Sequence, residues 1–297
     1  MADVHFLTLT NLHDRLMRPI AEHVVHTHDV SVHRMGPAEG RLAFLKSRGC
    51  KVAVLPQLPD RLFKECREAG IKTIMVQHGQ YPQHWTERCN PPPDVAVLMG
   101  YFWFSHWKAW SENAVCTPST LPISAGYGLL TEIIRKIDYD YVPGGPEILY
   151  AMPMLCEHDE SFAMPVLQAL HALGVWAKPH PREVDQVQGI TIYPRGDSIY
   201  RCLKGLRVLV SGPSNLIFEA VLAGVPCVVP NFAKLEWLEA YSPVCTMVHT
   251  PAELVQAVEF PPEPATIDAL EPFCHRPDEG SLHRVATAVL NSIEVLL

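Results

Sequence analysis

The chain has 297 residues, 48% of them hydrophobic and 19% charged, with a formal net charge of −8 at pH 7. That length and composition suit two ordinary globular domains or one large one and exclude a disordered chain, while the acidic balance excludes a general binder of nucleic-acid backbones. No apolar run approaches the roughly 20 residues needed to cross a bilayer, and Met1-Ala2-Asp3-Val4-His5 lacks the basic start and apolar core of a signal peptide. The expected location is therefore the cytoplasm. The 9 cysteines are odd in number and include no C-x-x-C pair, so they read as reduced, mostly buried thiols. Of the 15 histidines, His23, His26, His28 and His33 lie close together, but their spacing matches no ligand pattern and no metal is expected.

In chain order, Val4 to Thr10 reads as a strand and Asn11 to Val25 as a helix opening near an Asn or Asp cap. His28 to Met35 reads as a second strand, Leu42 to Ser47 as a short helix, and Lys51 to Leu55 as a third strand. Arg61 to Ala69 follows as a helix, with Gly70 as its C-cap before the strand Ile71 to Val76. This alternation is the signature of a parallel sheet covered by helices on both faces. At the end of the last strand comes Val76-Gln77-His78-Gly79-Gln80. A histidine before a glycine at a strand's carboxyl end lies where open α/β sheets bind ligands, and the alternative is a turn histidine bonded to its own loop.

Pro91-Pro92-Pro93 precedes another strand, Asp94 to Met99. The aromatic stretch from Tyr101 to Trp110 follows, read as a packing face rather than a stacking platform. Leu121 to Gly126 ends the first expected domain, residues 1–140, and Asp138 to Pro146 with its Pro-Gly-Gly-Pro reads as the connection to the second, residues 141–297. There Glu147 to Ala151 is a strand, Ser161 to Leu173 a helix, and Val175 to Lys178 a strand running into Pro179-His180-Pro181-Arg182-Glu183. Gly189 to Tyr193 and Ser198 to Leu203 are a short strand and helix.

Arg207 to Asn231 carries a compressed βαβ unit: an apolar strand, the turn Ser211-Gly212-Pro213-Ser214-Asn215, a helix with Leu216, Ile217, Ala220, Val221 and Ala223 on one side, then a second strand. Such a turn aims backbone N–H groups and two serine hydroxyls beyond the sheet edge, and the first amides of a helix attract anions, so a phosphate is the expected occupant. The plain alternative is a tight connection with Ser214 as N-cap. One helix after Pro251, a proline-rich passage and a final helix from Gly280 to Leu296 complete the chain.

Three strand ends thus carry polar motifs: QHG at Gln77 to Gly79, KPHPRE at Lys178 to Glu183, and SGPSNLIFEA at Ser211 to Ala220. In this order they resemble the GT-B group of nucleotide-sugar enzymes, closest in motif style to the CDP-glycerol glycerophosphotransferases and related capsule and polysialic-acid type transferases. Those families carry a His-Gly at a strand end of the N-terminal domain, a Lys-x-His-Pro in the C-terminal domain, and a Ser-Ser turn followed by a helix bearing an acidic residue. The matching residues are His78-Gly79, Lys178 with His180-Pro181, and Ser211 or Ser214 followed by Glu219.

The resemblance implies an α/β fold of two Rossmann-like doubly wound domains facing a cleft, with acceptor binding in the first and donor binding in the second. It implies transfer of a glycosyl or polyol-phosphate group from a nucleotide-activated donor to a hydroxyl on a glycan, a lipid-linked or small molecule, or a modified base, without cofactor or metal. His78 would take the acceptor's proton, with Gly79 and Gln80 on the acceptor side. An imidazole that titrates near neutral pH suits that role. His180, Arg182 and the amides around Ser214 would stabilise charge on the departing nucleotide, with Lys178, Ser211, Gly212 and Asn215 also on the donor. Glu219 would bind donor hydroxyls, although a solvated helix carboxylate is the plain alternative.

The chain departs from the pattern where Gly212-Pro213 stands in place of an acidic residue. A second reading is a non-hydrolysing UDP-N-acetylglucosamine 2-epimerase, whose family has similar motifs but adds acidic catalytic residues and a Gly-Gly after the serine. A third is a non-catalytic nucleotide-sugar binding protein.

Overall fold

The computed structural model describes residues 3–36, 40–56, 62–78, 93–103, 121–152, 160–179, 190–194, 197–212 and 214–297. It contains two parallel six-stranded sheets in two units, residues 1–131 with 271–297 and residues 132–270.

The first sheet comprises β1 (Val4–Thr8), β2 (Val30–Arg34), β3 (Val52–Pro56), β4 (Lys72–Val76), β5 (Val95–Leu98) and β6 (Leu121–Ser124), ordered β2-β1-β3-β4-β5-β6. β1, β3 and β5 are buried along their whole length, as unbroken apolar strands must be when helices cover both faces. Register is parallel throughout, with Val4 beside Val30 on one side and Val52 on the other.

Between the strands run α1 (Asn11–Val24), α2 (Arg41–Ser47) and α3 (Leu62–Glu68). α1 begins at Thr10, whose hydroxyl accepts from the His13 N–H at 3.2 Å and so satisfies one of the helix's unpaired donors. Its buried stripe is Leu16, Met17, Ile20, Ala21 and Val24, the spacing of a one-faced amphipathic helix. Gly70, at φ 73°, makes the left-handed turn between α3 and β4 that a side chain would resist.

The second sheet comprises β7 (Ile148–Ala151), β8 (Trp176–Lys178), β9 (Thr191–Ile192), β10 (Val208–Ser211), β11 (Cys227–Pro230) and β12 (Thr246–Val248), ordered β12-β11-β10-β7-β8-β9. The accompanying helices are α4 (Leu130–Tyr139), α5 (Glu160–Leu170), α6 (Tyr200–Leu203), α7 (Leu216–Leu222), α8 (Glu236–Glu239) and α9 (Pro251–Glu259), and α10 (Ser281–Leu296) ends the chain. On one face of this sheet Tyr150, Val210 and Val228 pack with Val166 and Leu170 of α5 and Leu254 and Val258 of α9.

Two sheets of this topology with flanking helices define a GT-B fold of two Rossmann-like domains. The expected division at residue 140 is corrected in two respects. The break falls at Thr131–Glu132, and the segment 271–297 belongs to the first unit rather than the second. The cause is packing between helices far apart in sequence. The buried stripe of α10, Val285, Val289 and Ile293, lies against α1, and each such side chain contributes about 1.5–3 kcal/mol when removed from water. β12 and α4 are further elements that the local pattern did not announce.

Candidate functional site

In the first unit, the carboxyl ends of β1, β2 and β4 gather a polar group. β1 runs directly into the first turn of α1, which carries His13 and Asp14. The Thr8 hydroxyl donates to Asp14 Oδ1 at 2.7 Å, and Arg18 and Arg34 each approach that carboxylate at 3.5 Å. Asp14 is thereby engaged within its own turn and strand ends. His13 is nearly fully buried, and its Nδ1 accepts from the Leu9 N–H at 3.3 Å. In the neutral ring the proton therefore sits on Nε2.

His78 follows Gln77 just beyond β4. Gln77 is buried, and its side-chain oxygen accepts from the Met99 N–H at 2.9 Å, tying the end of β4 to that of β5. The His78 ring meets the His13 ring edge-on, with centroids 4.7 Å apart and planes at 68°. β3 lies between β1 and β4 in the sheet, so the two rings meet over a strand that neither belongs to. His78 keeps part of its surface exposed, but its Nδ1 is buried. Burial, and after it the neighbouring His13, lowers the His78 pKa from 6.5 to about 3.

This corrects the expectation of an imidazole titrating near neutral pH. His78 is therefore unprotonated at physiological pH, and its intrinsic basicity is low. His13 was missed by sequence reasoning. The available signal was its place three residues after the capping Thr10, in the turn that follows a strand.

In the second unit the candidates lie along the carboxyl edge of β8 and β10. Lys178 ends β8, half-buried, with Nζ donating to the Asp197 carbonyl at 3.1 Å and standing 4.9 Å from the centre of the Tyr193 ring. Burial lowers its pKa, while Cys202 and Asp197 act the other way. The lysine is thus oriented by the turn after β9.

At the end of β10, Ser211 is fully buried and donates to the Gly212 carbonyl at 2.8 Å, with the Ser214 hydroxyl 3.3 Å away. Of the described residues of this turn, Ser211 and Gly212 are buried while Ser214 and Asn215 keep some exposed surface, so the expectation of an outward hydroxyl fails for Ser211. Ser214 Oγ also accepts from the Leu216 N–H at 3.1 Å, while Asn215 occupies the cap position of α7 with no side-chain cap bond. Glu219, in the first turn of α7, is 8% exposed, which removes the reading of a solvated carboxylate. The structure brings Ser211, Gly212, Ser214, Asn215 and Glu219 together and puts Lys178 at the end of β8, with β7 between β8 and β10. Gly79, Gln80, His180 and Arg182 lie outside the described residues.

Beside this turn, at the ends of β11 and β12, is a group that the sequence did not announce. The Asn231 amide donates to Glu239 and to the Leu235 carbonyl and accepts from the Leu235 N–H, and His249 Nδ1 stands 3.6 Å from Glu239. That last separation lies beyond hydrogen-bond range. Among the described residues no group of three or more His, Cys, Asp or Glu is placed to hold a metal, and no helix is long and apolar enough to cross a membrane.

No family model and no curated protein matches the sequence. Solved structures do match its path. The UDP-N-acetylglucosamine 2-epimerase from Rickettsia bellii shares 12% identity, with 99% of this chain and 96% of that one covered and a TM-score of 0.68. MnaA of S. aureus, in a co-structure with UDP, shares 9% identity over 99% of this chain and 98% of that one, with a TM-score of 0.66. A glycosyltransferase from Rickettsia africae ESF-5 shares 12% identity over 99% and 97%, with a TM-score of 0.53. At these identities the likeness is one of fold, and the fold is GT-B.

Proposed function

We propose that the chain is a transferase that moves a glycosyl or polyol-phosphate group from a nucleotide-activated donor to a hydroxyl acceptor, in the manner of the CDP-glycerol glycerophosphotransferases and capsule-type enzymes. The observation that carries this reading is that each unit presents its polar motif at the carboxyl ends of parallel strands, where open α/β sheets bind ligands. The second unit is assigned the donor. The part-buried turn at Ser214-Asn215 would face its phosphates and the buried Glu219 its hydroxyls, with Lys178 nearby as a cation and His180 and Arg182 completing the set. The first unit is assigned the acceptor. His78 would receive the acceptor's proton as the new bond forms and the nucleotide departs with the electron pair of the broken bond. No step calls on a metal.

A second reading, nucleotide-sugar epimerisation, is supported by the UDP-N-acetylglucosamine 2-epimerase among the structural neighbours, beside the neighbour solved with UDP. The described strand ends of the first unit favour transfer over epimerisation. They carry an imidazole pair, and their one carboxylate, Asp14, is taken up by Thr8 and two arginines.

Incubation with CDP-, UDP- and CMP-linked donors, with and without hydroxyl acceptors, tests the proposal. Transfer predicts acceptor-dependent release of free nucleotide that persists in EDTA and is lost in His78→Ala. Epimerisation predicts exchange of the sugar C2 proton with deuterated water without an acceptor. Thermal stabilisation by nucleotide without either reaction would point to a binding protein.

A further inference from the structure

We infer that His13 is the positioning residue for His78, fixing the plane in which His78 meets the acceptor hydroxyl. The inference rests on the reading of His78 as the group that receives the acceptor's proton.

The pin is built from the backbone outward. Thr10 caps α1 through the His13 N–H at 3.2 Å, which sets the first helical turn, and the Leu9 N–H bonds His13 Nδ1 at 3.3 Å, which sets the ring. His13 is 6% exposed, so the ring is enclosed as well as bonded. A neutral imidazole held at Nδ1 has one tautomer, with its proton on Nε2. Protonation of Nδ1 would turn that acceptor into a donor facing the Leu9 N–H and forfeit the bond.

Against this fixed ring His78 packs edge-on, with 4.7 Å between centroids and 68° between planes. An edge-to-face contact sets the positive rim of one ring on the negative face of the other, which favours one relative plane over rotation. Gln77 holds the preceding backbone through Met99, so the His78 side chain is located by its strand on one side and by His13 on the other.

Catalytic histidines are commonly oriented by a carboxylate. The carboxylate next in sequence, Asp14, is turned instead toward Thr8, Arg18 and Arg34. A second imidazole, rather than Asp14, thus stands against the His78 ring and gives it a defined direction.

Two substitutions separate the parts of this contact. His13→Asn places an amide oxygen near the position of Nδ1, where the Leu9 N–H can still bond, and removes the outer edge of the ring. His13→Gln places an amide near Nε2 and removes the Nδ1 acceptor. The expected result for His13→Asn is a fall of about 10- to 100-fold in kcat for acceptor-dependent nucleotide release with donor KM unchanged, because a misplaced catalytic group loses its orientation. The acid titration of the His78 ring, followed by NMR in the ligand-free protein, is expected to move upward in the same variant, and His13→Gln to retain more activity than His13→Asn. A residue that served only to hold the fold would lower the melting temperature and leave the His78 titration and the kcat-to-KM split where they were. Unchanged His78 titration and unchanged kcat in both variants would overturn the inference. Nucleotide release at the wild-type rate by His78→Ala would instead overturn the reading of His78 as the base, and that failure is seen in a different experiment from the titration.

Discussion

The indole N–H of Trp103 donates to the main-chain carbonyl of Phe273 at 2.9 Å, joining residues 170 apart in sequence within one unit. Phe102 reinforces the junction, since its N–H donates to the Pro272 carbonyl at 2.9 Å and its ring lies 4.6 Å from that of Phe273. This is how the chain, after completing its second sheet, is tied back to its first. Trp103 is 2% and Phe273 1% exposed, so the carbonyl that loses its indole partner does so away from water. Trp103→Phe is expected to destabilise the first unit by about 1–3 kcal/mol, the cost of depriving a buried polar group of its bond, read by urea denaturation.

The same junction makes Gly100 irreplaceable by any residue with a β-carbon. A Cβ there would sit 2.3 Å from the Pro272 carbonyl oxygen and 2.5 Å from the Phe273 carbonyl carbon, and both are backbone atoms that cannot step aside. Gly100→Ala is expected to loosen the 271–297 segment from the first unit. Amide exchange of α10 should accelerate in this variant while that of β10 and β11 stays unchanged. Equal protection of α10 in the variant and the wild type would show that the backbone has room to shift.

The strands were legible because the buried parallel sheet demands nearly continuous apolar runs, and Val52–Pro56, Val95–Leu98 and Val208–Ser211 supply them. α1 and α10 were legible from their periodicity and, for α1, from its polar start. The return of α10 to the first unit was not, because its stripe of Val285, Val289 and Ile293 is equally apolar whichever element it meets; its packing on α1, β4 and β5 and the Trp103 junction decide the matter. Of the candidate site, the strand ends were legible and the side-chain economy was not. Ser211 reads as a phosphate ligand in sequence, yet its hydroxyl is spent on the Gly212 carbonyl. His13 reads as a helix residue, yet it faces His78.

Glu219 is the carboxylate by which the donor reading stands apart from a plain connection. A buried carboxylate offered to a ligand hydroxyl makes a charge-assisted hydrogen bond worth about 1.5–3 kcal/mol. Glu219→Gln is expected to weaken nucleotide or nucleotide-sugar binding by about 10- to 100-fold in calorimetry. Glu236→Gln, at the exposed start of α8, serves as the control expected to bind as the wild type does. Equal affinity in Glu219→Gln would remove the residue from the site.

Tyr150 stands at the centre of the second sheet, fully buried, and its hydroxyl has no hydrogen-bond partner among the described residues. Burial raises its pKa well above the ordinary tyrosine value, as it must for a phenol that cannot ionise without water. The ring fills space among Val210, Val228, Leu170 and Leu254, and the hydroxyl adds a desolvation cost without a bond to offset it. Tyr150→Phe keeps the ring and removes the cost. The second unit is expected to gain roughly 1 kcal/mol or more, visible as slower amide exchange in β7 and β10. A loss of stability would mean that the hydroxyl does find a partner in solution.

The two strand-end histidines of the first unit predict how its stability follows pH. The pKa of His78 in the folded chain is lowered, by burial first and then by His13, to about 3 from an unfolded value near 6.5. That of His33 is lowered by burial, then by His5 and Arg48. Each group therefore binds its proton more readily in the unfolded chain than in the folded one. Above about pH 6.5 neither state is protonated at these sites and they add no slope. As pH falls through that value the unfolded chain takes up protons first, so stability declines, and for His78 the decline continues until the folded ring protonates near pH 3. A single such group contributes a slope of at most about 1.4 kcal/mol per pH unit in that window. His78→Gln, which cannot titrate, is expected to flatten the acid limb of the unfolding free energy between about pH 6 and pH 4 and to leave the limb above pH 7 unchanged. Denaturant unfolding across that range measures it. A variant with the wild-type acid slope would show that the His78 ring is solvated in the native state and titrates as an exposed imidazole does.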